Sequence, residues 1–136
     1  DGAKYDQQPG AAFAAADVTV TDALDGLAMD LAPAYGSVPG LGRYRRSVHL
    51  TDTGLTLRDE TDYPGTVALT LMSVEKPAVD GDTVAFGALA AAAVTGADKI
   101  VTEAVPIADP RLRQAWPDTL YRTRIYFTKQ LSLVIE

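Results

Sequence analysis

Most of the residues that could do chemistry gather in one stretch. Residues 43–62, RYRRSVHLTDTGLTLRDETD, hold the only histidine, His49, and four of the eight arginines. A nucleophilic triad needs Ser or Cys beside a histidine that a carboxylate orients. His49 stands beside Ser47 and Arg45 with no nucleophile elbow around it, so it reads as an exposed or structural strand residue. A metal centre needs several converging ligands. The many aspartates (Asp17, Asp22, Asp25, Asp30, Asp52, Asp80, Asp82) sit instead at turn signals, where Asp hydrogen-bonds its own backbone. Asp80-Gly81-Asp82 lacks the remaining spacing of a calcium loop. Gly36, Gly40 and Gly42 precede neither Lys-Ser/Thr nor a helix, so no phosphate loop is expected. There is no cysteine, which excludes disulfides, thiolate chemistry and Cys-ligated zinc. There is no asparagine, hence no N-glycosylation acceptor. Neither metal nor cofactor is expected, and no catalytic residue is assigned.

The same stretch predicts the elements that would position these groups. Tyr44, Arg46, Val48 and Leu50 alternate with Arg43, Arg45, Ser47 and His49, and Asp52–Gly54 marks a tight turn. On the return, Leu55, Leu57 and Asp59 share a face. If Leu50 pairs with Leu55, Val48 meets Leu57 and Arg46 meets Asp59. A charge on an inward face requires a partner, and this register supplies one, making Arg46 and Asp59 a structural pair.

The flanking segments read as further short strands. Residues 1–12 form a loop with a Pro9-Gly10 turn. Phe13–Thr21 and Leu27–Ala32 make a hairpin around Asp25-Gly26, and residues 33–42 a Gly/Pro-rich loop. Thr66–Val74 is apolar on both faces, which predicts a central strand covered on both sides. Pro77–Phe86 forms a hairpin around Asp80-Gly81. Ala88–Val94 is too short and too closely bounded by glycines for a helix, so a strand is favoured. Lys99–Ile107, Leu120–Thr128 and Leu131–Ile135 are strands, the last two joined by a tight turn. About ten short strands without a long helix predict an all-β fold, an antiparallel two-sheet β-sandwich forming a single domain over residues 1–136.

Composition narrows the partners. At 136 residues and 47% hydrophobic the chain is globular. A net charge of −6 argues against nucleic acid. No run approaches the roughly 20 apolar residues of a membrane span. The start at Asp1, with no Met and no signal-like run, suggests a mature chain or a piece of a larger one. Basic and aromatic residues interleave twice, in residues 43–46 and 121–126. Such faces can grip a carboxylate or sulfate, although a solvated face balanced by aspartates explains them as well. Arg43, Arg45, Trp116 and Tyr121 are the candidate substrate-binding residues. For Trp116 the competing reading is a lid over one end of the core.

Several segments, taken in order, resemble the C-terminal β-sandwich part of heparinase II/III-like bacterial polysaccharide lyases. They are Gln7-Gln8-Pro9-Gly10, Asp30–Tyr35 (DLAPAY), Tyr44–Val48 (YRRSV), Leu57–Glu60 (LRDE) and Trp116–Arg122 (WPDTLYR). The resemblance implies a parent enzyme that cleaves uronate-containing polysaccharide, such as a glycosaminoglycan, by β-elimination. A base removes the C5 proton, an acid protonates the leaving oxygen, and a third group neutralises the carboxylate. It also implies an N-terminal helical catalytic domain as partner, acidic polysaccharide as ligand, and a periplasmic or secreted setting. The family's acid/base residues match nothing here, so this part alone is expected to be inactive. A stand-alone carbohydrate-binding module and a structural or adhesin-like sandwich are the alternatives.

Overall fold

A computed structural model describes residues 4–136, so residues 1–3 of the expected N-terminal loop lie outside the described residues. The fold is all-β and antiparallel. Nine strands run in order: β1 (Ala16–Val20), β2 (Gly26–Asp30), β3 (Tyr44–Leu50), β4 (Leu55–Thr61), β5 (Val67–Ser73), β6 (Ala78–Asp80), β7 (Thr83–Phe86), β8 (Ala90–Pro106) and β9 (Thr119–Ile135). Among the described residues only short 3-10 turns accompany them, at Ala11–Phe13, Ala32–Tyr35 and Leu112–Gln114. Hydrogen bonds join all nine strands into one sheet, where the sequence suggested two. Its order is β1-β2-β3-β4-β9-β8-β7-β6, with β5 attached to β9.

The hairpin β3–β4 adopts the register that its alternation dictates. Leu50 faces Leu55, Val48 faces Leu57, and Arg46 faces Asp59. At its tip Gly54 lies against the end of β9. A Cβ there would fall inside contact distance of the Ile135 carbonyl, so the turn tolerates only glycine at this spot. The β6–β7 hairpin turns through Gly81-Asp82, between paired Asp80 and Thr83, one residue later than the sequence suggests. Gly81 supplies the left-handed φ of 56° that a two-residue turn needs.

Two expected breaks are absent. The segments around Gly96 and around Lys129 continue as strands of 17 residues each, β8 and β9. These two pair on both sides of the irregularity, Ala92–Thr95 with Ile135–Ser132 and Ala97–Pro106 with Phe127–Thr119. Gly96 and Lys129 take left-handed φ values of 87° and 83°, so the ladder bulges and bends instead of reversing. A Cβ on Gly96 would lie 2.6 Å from the Gln130 carbonyl oxygen. Both sides of the bend bury their apolar residues in one core. Ile125 and Phe127 come from one side and Leu131 and Leu133 from the other, joined by Val84, Ala92, Val94 and Leu69.

The edge of β9 is shared. Residues 130–135 pair with β4, and residues 121–127 pair with β5. This places β5 at a margin of the sheet, with β9 as its only strand partner among the described residues, which corrects the expected central strand. Leu69 is buried, but Ala68, Thr70 and Met72 on the opposite face are exposed. Apolar composition on both faces came from small and flexible residues that tolerate water rather than from two covering layers.

Candidate functional site

A cleft of about 630 Å³ opens between the N-terminal segment, the loop after β2 and strands β3, β5 and β9. Five of the six tyrosines line it (Tyr5, Tyr35, Tyr44, Tyr63 and Tyr126), together with Lys4, Arg46, Arg122 and Arg124. Three separate parts of the chain position these groups. Alternation along β9 puts Arg122, Arg124 and Tyr126 on one face, opposite the buried Thr123, Ile125 and Phe127. Tyr44 and Arg46 come from the inward face of β3, and Tyr35 closes the 3-10 turn after β2. The N-terminal segment is tied alongside by a hydrogen bond from the Gln8 amide to the Ala34 carbonyl at 2.7 Å.

The deep end of the cleft is a closed polar network. Arg46 grips Asp59 with two bonds, Nε to Oδ1 and Nη2 to Oδ2, both 2.7 Å. Asp59 is fully buried. The Tyr44 hydroxyl donates to Asp59 Oδ2 at 2.8 Å and accepts from Arg46 at 3.3 Å. Tyr35 stacks on the Tyr44 ring with centroids 5.9 Å apart. Burial, followed by the nearby Asp59 charge, pushes the Tyr44 phenol far above its ordinary value, so it stays a neutral donor. The Tyr35 phenol is pushed up by burial as well. The Arg46 guanidinium is burdened by burial, but its bonds and proximity to Asp59 outweigh that and hold it charged. With bidentate arginine and tyrosine partners the buried carboxylate is satisfied, and no buried side-chain polar atom lacks a partner among the described residues.

The shallower end is organised on Glu103 of β8. Arg122 Nε and Arg124 Nη2 each approach Glu103 Oε1 at 2.8 Å. The Arg122 hydrogen bond is the largest cause that holds the Glu103 carboxyl below its ordinary value, with Arg124 and Lys4 adding to it. Two guanidiniums thus share one carboxylate. Around the whole cleft four cations (Lys4, Arg46, Arg122 and Arg124) meet three carboxylates (Asp6, Asp59 and Glu103). The cleft is locally positive on a chain of net charge −6.

The residues expected to bind substrate lie elsewhere. Arg43 is exposed, sits 3.4 Å from Glu60, and lines a shallow depression with Lys129 and Gln130. Arg45 is exposed on β3 between Asp30 and Glu60 in register. Trp116 lies on the connection after β8 with 49% of its surface exposed and outside the core cluster, which corrects the lid reading. Tyr121 pairs in register with Ser73 and Ala104, on the alternation of Thr123 and Ile125 rather than that of the cleft. None of the four lines the large cleft. Among the described residues the carboxylate within 4 Å of His49 is that of Asp25, 3.8 Å away, with both side chains about half exposed. No cluster of three or more metal-ligating side chains occurs among the described residues. Arg122, Arg124 and Tyr126 were within reach of sequence reasoning, since their period-two spacing puts them on one strand face. No protein-family model matches the chain, and no curated protein matches it.

Proposed function

We propose that the chain is the non-catalytic C-terminal β domain of a heparinase II/III-like polysaccharide lyase. In this reading it supports the helical catalytic domain and contributes part of the surface that holds an acidic polysaccharide. The support is the cleft: tyrosine rings and guanidiniums gathered at a positive concavity on an acidic molecule. Rings of this kind stack on sugar faces, and guanidiniums bind carboxylates or sulfates in two-point contacts. Arg46 and Asp59, and Arg122, Arg124 and Glu103, are committed to one another in ion pairs. The cleft tyrosines Tyr35 and Tyr44 are raised in pKa, which suits donors and not bases.

Isothermal titration with heparin, heparan sulfate and alginate oligosaccharides tests the reading. Binding of an acidic oligosaccharide is expected, without growth of unsaturated-uronate absorbance. Turnover by this chain alone, or indifference to all three ligands at millimolar concentration, overturns it. The half-exposed Trp116 favours one second reading, a stand-alone carbohydrate-binding module that stacks a sugar outside the cleft. In that case neutral glycans bind and Trp116→Ala abolishes binding, whereas Arg124→Gln leaves it intact.

A further inference from the structure

We infer that the open edge of β5 is a docking site for an extended acidic peptide, which adds to the sheet as a further strand. Among the described residues four sheet margins lack a neighbouring strand, namely the outer sides of β1, β5, β6 and the 97–106 part of β8. An open margin offers a row of unpaired N–H and C=O groups, and proteins normally guard it with brevity, bulges, charge or proline. Three of the four are guarded here. β1 is five residues long, with a register break and a left-handed Asp17 at φ 49°. β6 has three residues, follows Pro77 and ends in Asp80. The open part of β8 carries Asp98, Lys99, Glu103 and Pro106.

β5 has none of these devices. Its sequence is VALTLMS, seven residues without charge or proline. It pairs with β9 in unbroken register from Val67–Phe127 to Ser73–Tyr121. Its backbone groups make no further backbone hydrogen bond to any described residue outside that ladder. Five consecutive residues, 66–70, line the cleft. Alternate side chains of a strand point to opposite faces, so a consecutive run of lining residues marks an edge rather than a face. The unguarded margin therefore opens into the positive cleft.

That location selects the occupant. An added strand takes its affinity from main-chain hydrogen bonds and its specificity from alternate side chains. On one side these would meet the apolar wall of Val38 and Leu41, and on the other the surplus positive charge of Lys4, Arg122 and Arg124. Alternating apolar and carboxylate side chains fit both. A second copy of this chain fits poorly, because each copy carries −6 and β5 itself carries no charge to pair. The inference needs only the edge and the cleft charge, so it stands apart from the polysaccharide reading.

The test uses three capped octapeptides against the whole chain: alternating Val-Glu, alternating Val-Lys, and the Val-Glu peptide with one central Val replaced by Pro. Fluorescence anisotropy should show saturable binding of the first only, weakened roughly tenfold by Arg124→Gln. Amide hydrogen exchange on the unaltered protein supplies the independent readout. Alternate amides among residues 67–73 should exchange quickly in the free protein and slow by about tenfold or more with Val-Glu peptide bound. No binding, equal binding of all three peptides, binding without new amide protection, or self-association through β5 at working concentration each overturn the inference. Peptide binding with no oligosaccharide binding removes the polysaccharide reading and leaves this one standing; the reverse outcome removes this one alone.

Discussion

The two halves of β9 live in different surroundings. After the bend, residues 130–135 lie between β4 and β8, and β4 is backed in turn by β3, β2 and β1. Before the bend, residues 121–127 lie between β5 and the second part of β8, and neither pairs with another strand among the described residues. One strand thus passes from the middle of a broad sheet into a three-stranded arm. The broad half is where the chain buries a charge, the Asp59 carboxylate held by Arg46 and Tyr44. The narrow half keeps its charges, Arg122, Arg124 and Glu103, at partly exposed positions. Charges can be buried where the backbone is paired on all sides and their partners cannot drift. Where the backbone is open, water and ligands reach the charges.

The largest consequence is at Asp59. Asp59→Ala strands the Arg46 guanidinium in a mostly buried site and should cost about 3–5 kcal/mol in urea unfolding. A double-mutant cycle with Arg46→Ala should show strong coupling, and additivity there would erase the contrast between the halves. Tyr44→Phe removes a hydrogen bond to a buried carboxylate and should cost about 1.5–3 kcal/mol by the same measurement. In the arm, Met72→Thr alters a half-exposed side chain on β5 and should cost about 0.5 kcal/mol or less. A loss equal to that of Tyr44→Phe would mean that β5 is as enclosed as β4.

The smallest effect concerns acidity. Glu103 titrates below its ordinary value in the folded chain, so its charge favours the folded state. That contribution is complete above the ordinary glutamate range and fades as pH falls through the depressed folded value. Arg122→Gln should move the Glu103 transition in an NMR titration upward, toward the ordinary value. A transition that does not move would show that the pair is not formed in solution.

The broad half was largely legible in the sequence. Strict alternation in residues 43–62, with Arg46 and Asp59 as the one charged pair on an otherwise apolar face, allowed a single sensible register. The arm was harder to read. Gly96 and the Lys129-Gln130 pair carry the residue types of turns, and only the pairing of β8 with β9 on both sides turns them into a bulge. Composition does not reveal the burial of β5, because Ala68, Thr70 and Met72 are as common on open faces as on covered ones. The cleft escaped for a different reason. Its parts come from residues 4–7, 35–46, 63–70 and 122–126, and nothing local in any of them announces the others. Within the second basic-aromatic run, Tyr121 has the opposite parity, and Arg122, Arg124 and Tyr126 are the residues that face the cleft.

The position of β9 also constrains how the chain acquires its structure. The groups β1–β4 and β6–β8 are joined in the sheet only through this strand, and in sequence it follows both of them. As residues leave a ribosome, the early hairpins can close locally, since their partners are neighbours in sequence. The common core cannot form, because Ile125, Phe127, Leu131 and Leu133 are made after everything they pack against. Synthesis and folding are therefore decoupled. The nascent chain passes through a stage in which two half-built, apolar-faced sheets wait for the strand that unites them, and that interval is when it is most exposed to aggregation.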